Sequence, residues 1–189
     1  MTNHVIALYF SPTLTTKKVV TTIAKGIAQR LNLSYSEVDI TTPAQREGKL
    51  TFAEDDIVVF GAPVYIGRMP NLISPYFKTI VGGGAIGVPV AVYGNRAYDD
   101  GLIEQDGFRL IAAAAFVGEH TFSRILGGGR PDREDLAIAE KFGDEIAQNV
   151  LLSGVGAAGR VEVPGTPYPY SGFYKATDTS KKSVDIRKV

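Results

Sequence analysis

The chain of 189 residues contains no cysteine. That excludes disulfides, thiolate catalysis and any iron–sulfur or zinc centre ligated by cysteines of this chain. Histidine is scarce: His4 and His120 are the two present and lie far apart, so no histidine metal cluster is expected and no metal site is assigned. Tryptophan is absent, so a flat ligand that needs an aromatic neighbour must use Tyr or Phe. An excess of either charge is absent too. The 20 basic and 20 acidic residues balance, leaving no polycationic face for nucleic acid or a membrane surface. No apolar run approaches the ~20 residues of a membrane span. Met1-Thr2-Asn3-His4 does not open a basic-then-apolar signal peptide, and the expected compartment is the cytoplasm.

What is present is an alternation of strand and helix patterns. Val5 to Phe10 is a continuous apolar run, as in a strand buried on both faces of a parallel sheet. Val19, Ile23, Ile27 and Leu31 then recur at helical spacing. Leu33 to Ile40 carries Ser36, Glu37 and Asp39 and reads as an edge strand, and residues 41–55 read as a loop with a short helical turn. Ile57 to Phe60 is a second buried strand, Asn71 to Ile80 a short helix, Val88 to Tyr93 a further strand and Arg109 to Val117 the last strand. Pro131 opens the final helix, with Asp132, Glu134 and Asp135 placed to complement its dipole. The pattern predicts an α/β fold: a doubly wound, five-stranded parallel sheet of order 2-1-3-4-5. The crossover from Asn95 to Phe108 is only about as long as a parallel connection requires, roughly a dozen residues. Residues 1–162 are expected to form one domain and residues 163–189, aperiodic and rich in Pro and Tyr at their start, an extended arm.

In such sheets ligands bind beyond the C-terminal strand ends. Three segments fall there. Ser11-Pro12-Thr13-Leu14-Thr15-Thr16 joins the first strand to its helix, so hydroxyls and unpartnered N–H groups gather at a helix N-terminus, which suits a phosphate. The same Thr residues would also serve as plain helix caps. Ala62-Pro63-Val64-Tyr65-Ile66-Gly67 follows the third strand and carries apolar side chains on a surface loop, fitting a flat ligand, a partner, or a loop folded over the sheet end. Tyr93-Gly94-Asn95-Arg96 with Tyr98 and Asp99 follows the fourth strand. Gly94 permits close backbone approach, Asn95 and Asp99 can bond a heterocycle's edge, and Tyr93 or Tyr98 can lie near its plane. His120, in Gly118-Glu119-His120 after the fifth strand, is a structural residue or a proton donor.

Taken together, these segments resemble the flavodoxin superfamily, which binds flavin mononucleotide (FMN). Ser11 to Thr16 sits where that superfamily has its Ser/Thr-x-Thr-Gly-x-Thr phosphate loop, and Gly61 to Met69 and Tyr93 to Asp99 sit where its two ring-binding loops lie. More narrowly, Tyr9 to Thr13, Pro63 to Arg68, Val92 to Asp100 and Gly118 to His120 resemble flavodoxin domains fused to a C-terminal two-cluster ferredoxin domain. The resemblance covers about residues 4–170. It implies an FMN-binding electron-transfer protein with a redox partner protein, for example a ferredoxin-type iron–sulfur domain. No protein residue need act as a catalytic nucleophile or base. Two departures stand out: Leu14 replaces the loop's usual glycine, and Asn95 stands where many flavodoxins have a stacking aromatic. If Leu14 has a negative φ, its N–H can still face the phosphate. Two other functions stay open. One is an FMN-dependent NAD(P)H:quinone-type oxidoreductase using His120, Arg96 or Tyr98; the other is a non-flavin interaction scaffold with a degenerate phosphate loop. A G-x-G-x-x-G dinucleotide site is disfavoured because that motif does not follow the first strand.

Overall fold

Strand β1 (His4–Tyr9) alternates its side chains between two apolar layers, and both are filled. Val5, Ala7 and Tyr9 face one layer; Ile6 and Leu8, with Phe10, face the other. This is why the segment is apolar at every position rather than every second one. The protein is described by a computed structural model over residues 4–94, 107–123, 125–153 and 161–162. The expectations for Asn95, Arg96, Tyr98, Asp99, most of the crossover and the 163–189 arm lie outside the described residues.

Helix α1 (Thr15–Leu31) follows β1, and strand β2 (Ser34–Asp39), a 3-10 turn (Pro43–Arg46) and strand β3 (Ile57–Pro63) follow in order. A four-residue helix α2 (Ser74–Phe77) precedes strand β4 (Ile86–Tyr93). Strands β5 (Arg109–Leu110) and β6 (Ala114–Val117) and helix α3 (Arg133–Ser153) complete the described elements. All pairings are parallel, in the order β2-β1-β3-β4-β5, with β6 also on β4. The α/β class and the 2-1-3-4-5 order are therefore as the sequence predicts. β2 is the edge, which explains its mixed composition.

The expected single last strand, Arg109 to Val117, is broken in two, and Pro89 accounts for the break. Gly87 pairs with Leu110, but Val90 pairs with Ala114, so two residues of β4 oppose three of its neighbour. That is a bulge. The N–H groups of Arg109 and Ile111 reach the carbonyls of Ala85 and Gly87, so odd-numbered β4 residues face this edge. Pro89 is the next of them and has no N–H to offer, so the ladder skips. The expected helix over Asn71–Ile80 also contracts to α2.

α1 and α3 lie together on one face. A Cβ on Gly143 would stand 2.6 Å from the carbonyl oxygen of Ile23, and one on Gly26 3.3 Å from that of Glu140, so the helices cross nearly backbone to backbone. α3 starts with a reciprocal cap. Asp132 Oδ1 accepts the N–H groups of Glu134 and Asp135, and Asp135 Oδ2 accepts that of Asp132. Buried Asp135 also takes a bidentate ion pair from Arg130. Asp132→Ala removes the cap and is expected to lower stability by about 1 kcal/mol in urea unfolding.

Candidate functional site

The first turn of α1 holds more donors than the protein itself uses. The Ser11 hydroxyl accepts the N–H of Lys17 at 2.9 Å, so Ser11, rather than a threonine, supplies the side-chain cap. The Leu14 N–H closes a tight turn onto the Ser11 carbonyl at 3.2 Å, and Lys18 N–H bonds the Leu14 carbonyl. The N–H groups of Thr13, Thr15 and Thr16 have no partner among the described residues. Thr16 is fully buried, and its Oγ1 has no hydrogen-bond partner among the described residues. A buried hydroxyl without a partner costs about 1–3 kcal/mol. Three free N–H groups, an orphaned hydroxyl and the positive end of a seventeen-residue helix make an anion cradle, and a phosphate ester fits it. The hydroxyls of Thr13 and Thr15, 3.1 Å apart, stand at its rim.

The condition under which Leu14 could keep its N–H on a phosphate, a negative φ, is not met. Its φ is +63°, the left-handed region that glycine would enter freely, and its N–H is spent in the turn. The loop keeps the shape glycine gives, at a strain of about 1–2 kcal/mol. The Ser11 hydroxyl is likewise engaged as an acceptor, keeping only its proton for a ligand. Sequence reasoning missed Thr41, whose Oγ1 accepts the Ser11 N–H at 3.0 Å and so steadies the loop from the end of β2. No local motif marks it.

The second loop also contains a strained residue. Tyr65 and Arg68 exchange backbone hydrogen bonds at 2.7 and 3.2 Å, with Ile66 and Gly67 both at positive φ between them. This is the geometry of a type I′ turn, which a β-branched residue rarely enters. Ile66 is 78% exposed, so packing does not hold it there. Ala62 is buried, Pro63 ends β3, and Val64 extends the ladder through its N–H to the Val92 carbonyl at 2.8 Å. Burial raises the Tyr65 phenol above its ordinary range.

Gly94 was expected to admit a ligand's close approach; the space over its α-carbon is instead filled by His120. A Cβ on Gly94 would be 2.4 Å from His120 Cδ2. Gly118, which a Cβ would drive to within 2.7 Å of Val92, also lies against Thr15, with 3.6 Å from that site to Thr15 Cβ. Residues 118–120 thus lie between the Ser11–Thr16 loop and the end of β4. Beyond them the chain is sewn back by Glu119 N–H to the Arg130 carbonyl, His120 N–H to the Leu126 carbonyl and Gly129 N–H to Glu119 Oε2. The structure so brings the Ser11–Thr16, Ala62–Gly67 and Tyr93–Gly94 residues to the same end of the sheet.

Lys17, which follows the loop, is drawn to Glu37 instead of the cradle. Glu37 accepts the phenols of Tyr9 and Tyr35 at 3.0 and 2.9 Å and pairs with Lys17 and Lys25 at 3.4 and 3.6 Å. Lys17 also lies over the Tyr9 ring. Burial works to raise the Glu37 carboxyl, but hydrogen bonds from Tyr35, Tyr9 and Lys17 outweigh it and hold the pKa below the ordinary 4.5. A depressed carboxylate pKa stabilises the fold above the unfolded value and loses that contribution as pH falls through the folded one. Glu37→Gln is therefore expected to cost about 1 kcal/mol at neutral pH, discounted because the carboxylate side chain is 30% exposed. The gap from wild type should close below pH 4.5, and urea unfolding from pH 7 to 3 checks this.

No protein-family model matches the chain, and no curated protein matches it. Solved structures do. A flavodoxin from the domain Archaea aligns with a TM-score of 0.50 at 16% identity, covering 78% of this chain and 99% of that one. The Flv1 flavodiiron core from Synechocystis aligns at 0.53 and 16% identity over 79% of this chain. The chain spans only 36% of that core. An NADH:FMN oxidoreductase in its apo form aligns at 0.51 and 11% identity over 78% of this chain and 89% of its own. In strand order and in these likenesses, the chain has a flavodoxin-like fold.

Proposed function

We propose that the protein binds FMN and acts as a cytoplasmic electron carrier. The observation that carries this reading is the orphaned Thr16 hydroxyl beside three unpartnered N–H groups at the start of α1. That set suits the terminal phosphate of a mononucleotide, and the neutral cradle takes it through N–H and O–H donors rather than lysines. Thr13, Thr15 and Thr16 would hold the phosphate, with Ser11 adding its proton. The loops at Ala62–Gly67 and Tyr93–Gly94 would flank the ring system. The flavin supplies the redox chemistry, while the protein sets its surroundings. Leu14 is compatible with this role because it adopts the glycine-like conformation, which weakens the case for a degenerate, ligand-free scaffold.

The test is a visible spectrum of the purified protein before and after FMN is added, followed by gel filtration. A flavin spectrum that travels with the protein is expected. Colourless protein that ignores FMN would move the scaffold reading to first place. An FMN-dependent oxidoreductase is the second reading, favoured by the half-buried His120 at the mouth of the site. Rapid bleaching of bound flavin by NADH would select it. A ferredoxin-type protein remains the partner we propose for a carrier.

A further inference from the structure

The His120 ring is held by both edges in a way that fixes where its proton sits. On one edge, Nδ1 accepts the backbone N–H of Phe122 at 3.1 Å. An acceptor nitrogen carries no proton, so the neutral ring must carry it on Nε2. On the other edge, Cδ2, the neighbour of Nε2, lies against the α-carbon of Gly94, where a Cβ would be 2.4 Å away. The Cβ–Cγ–Cδ2 edge is the one packed on Gly94, so Nε2, one bond beyond Cδ2, is left clear of that contact and has no partner among the described residues. The backbone holds this arrangement: His120 N–H reaches the Leu126 carbonyl, and Ser123 N–H returns to the His120 carbonyl. Glycine at position 94 is what leaves room for the ring.

We propose that His120 Nε2–H is a hydrogen-bond donor to an acceptor atom on the edge of the flat ring ligand, a ring carbonyl or deprotonated ring nitrogen. This rests on the FMN reading above. Two-electron reduction places negative charge on the ring, and a hydrogen bond to a charged acceptor is about twice as strong as one to a neutral acceptor. His120 thus favours the reduced ligand over the oxidised one.

Two measurements test it. In the 15N-labelled apo-protein, long-range 1H–15N spectra should show His120 protonated on Nε2, and that signal should move when FMN is added. Dissociation constants of oxidised and dithionite-reduced FMN are then compared for wild type, His120→Leu and His120→Gln. Leu removes the donor and should weaken the reduced form about tenfold more than the oxidised form. The Gln amide can place an N–H near the position of Nε2 and should restore most of the difference. A proton on Nδ1, an unmoved signal, or both redox forms weakening equally in both variants would overturn the inference and leave His120 a structural residue. A wild type that retains no FMN in either redox form would overturn the cofactor reading, and this inference with it.

Discussion

Thr16→Val is expected to raise the melting temperature of the FMN-free protein while weakening FMN binding tenfold or more. The two effects share one cause. Thr16 is fully buried and its hydroxyl has no partner among the described residues, so the free protein is expected to carry a desolvation cost of about 1–3 kcal/mol. Valine has nearly the same shape and removes that cost. For a chain of this size each kcal/mol is worth roughly 2–4 °C in melting temperature. The same substitution deletes the hydroxyl proposed to donate to the phosphate, and a hydrogen bond to a charged group is worth about 1.5–3 kcal/mol. Thermal unfolding of the apo-protein and calorimetric titration with FMN read the two arms separately. If Val destabilises the apo-protein, the hydroxyl has an internal partner after all. If affinity is unchanged, the phosphate does not lie there.

Gly61→Ala is expected to damage fold and site together. Gly61 sits in β3 directly beneath the start of α1. A Cβ there would be 2.6 Å from Val20 Cγ2, 2.9 Å from the Val90 carbonyl oxygen and 3.2 Å from Thr16 Cγ2. Val20 can turn, but the Val90 carbonyl belongs to the central sheet and cannot. Relief must come from shifting β3 against β4 and lifting α1, whose first turn carries the candidate donors. A loss of about 1–3 kcal/mol in urea unfolding is expected, with weaker FMN binding beside it. Gly48→Ala is the matched control, since a Cβ there meets nothing within 4 Å, and it should change stability by less than about 0.5 kcal/mol. Equal behaviour of the two variants would refute the account.

The residues that describe the fold most directly are those whose partners do not matter. The unbroken apolar runs of β1, β3 and β4 announce burial on two faces, and the stripe Val19, Ile23, Ile27 faces the sheet whatever lies across it. The features that were not legible depend on direction or on distant neighbours. Pro89 is visible in the sequence, but it breaks β6 from β5 only because its missing N–H faces that edge rather than β3. The Ser11–Thr16 loop is legible as a hydroxyl-rich strand-to-helix turn. Its division of labour is not: Ser11 caps, Leu14 closes the turn, and the orphan is Thr16. Gly94 reads as room for a ligand, yet the room is taken by a histidine far along the chain.

The parallel sheet also governs how the chain reaches this structure. Ala7 pairs with Glu37 on one side and Val59 on the other, and β4 draws its outer neighbours from beyond the crossover that follows it. No two described strands form a hairpin, so no sheet contact can form before a long loop has closed. Such high contact order slows folding, and until β1 captures β3 the apolar strands stand with open edges. The early event with most to gain is therefore helical: α1 forms locally, docks on β1, and gives the later strands a surface on which to assemble.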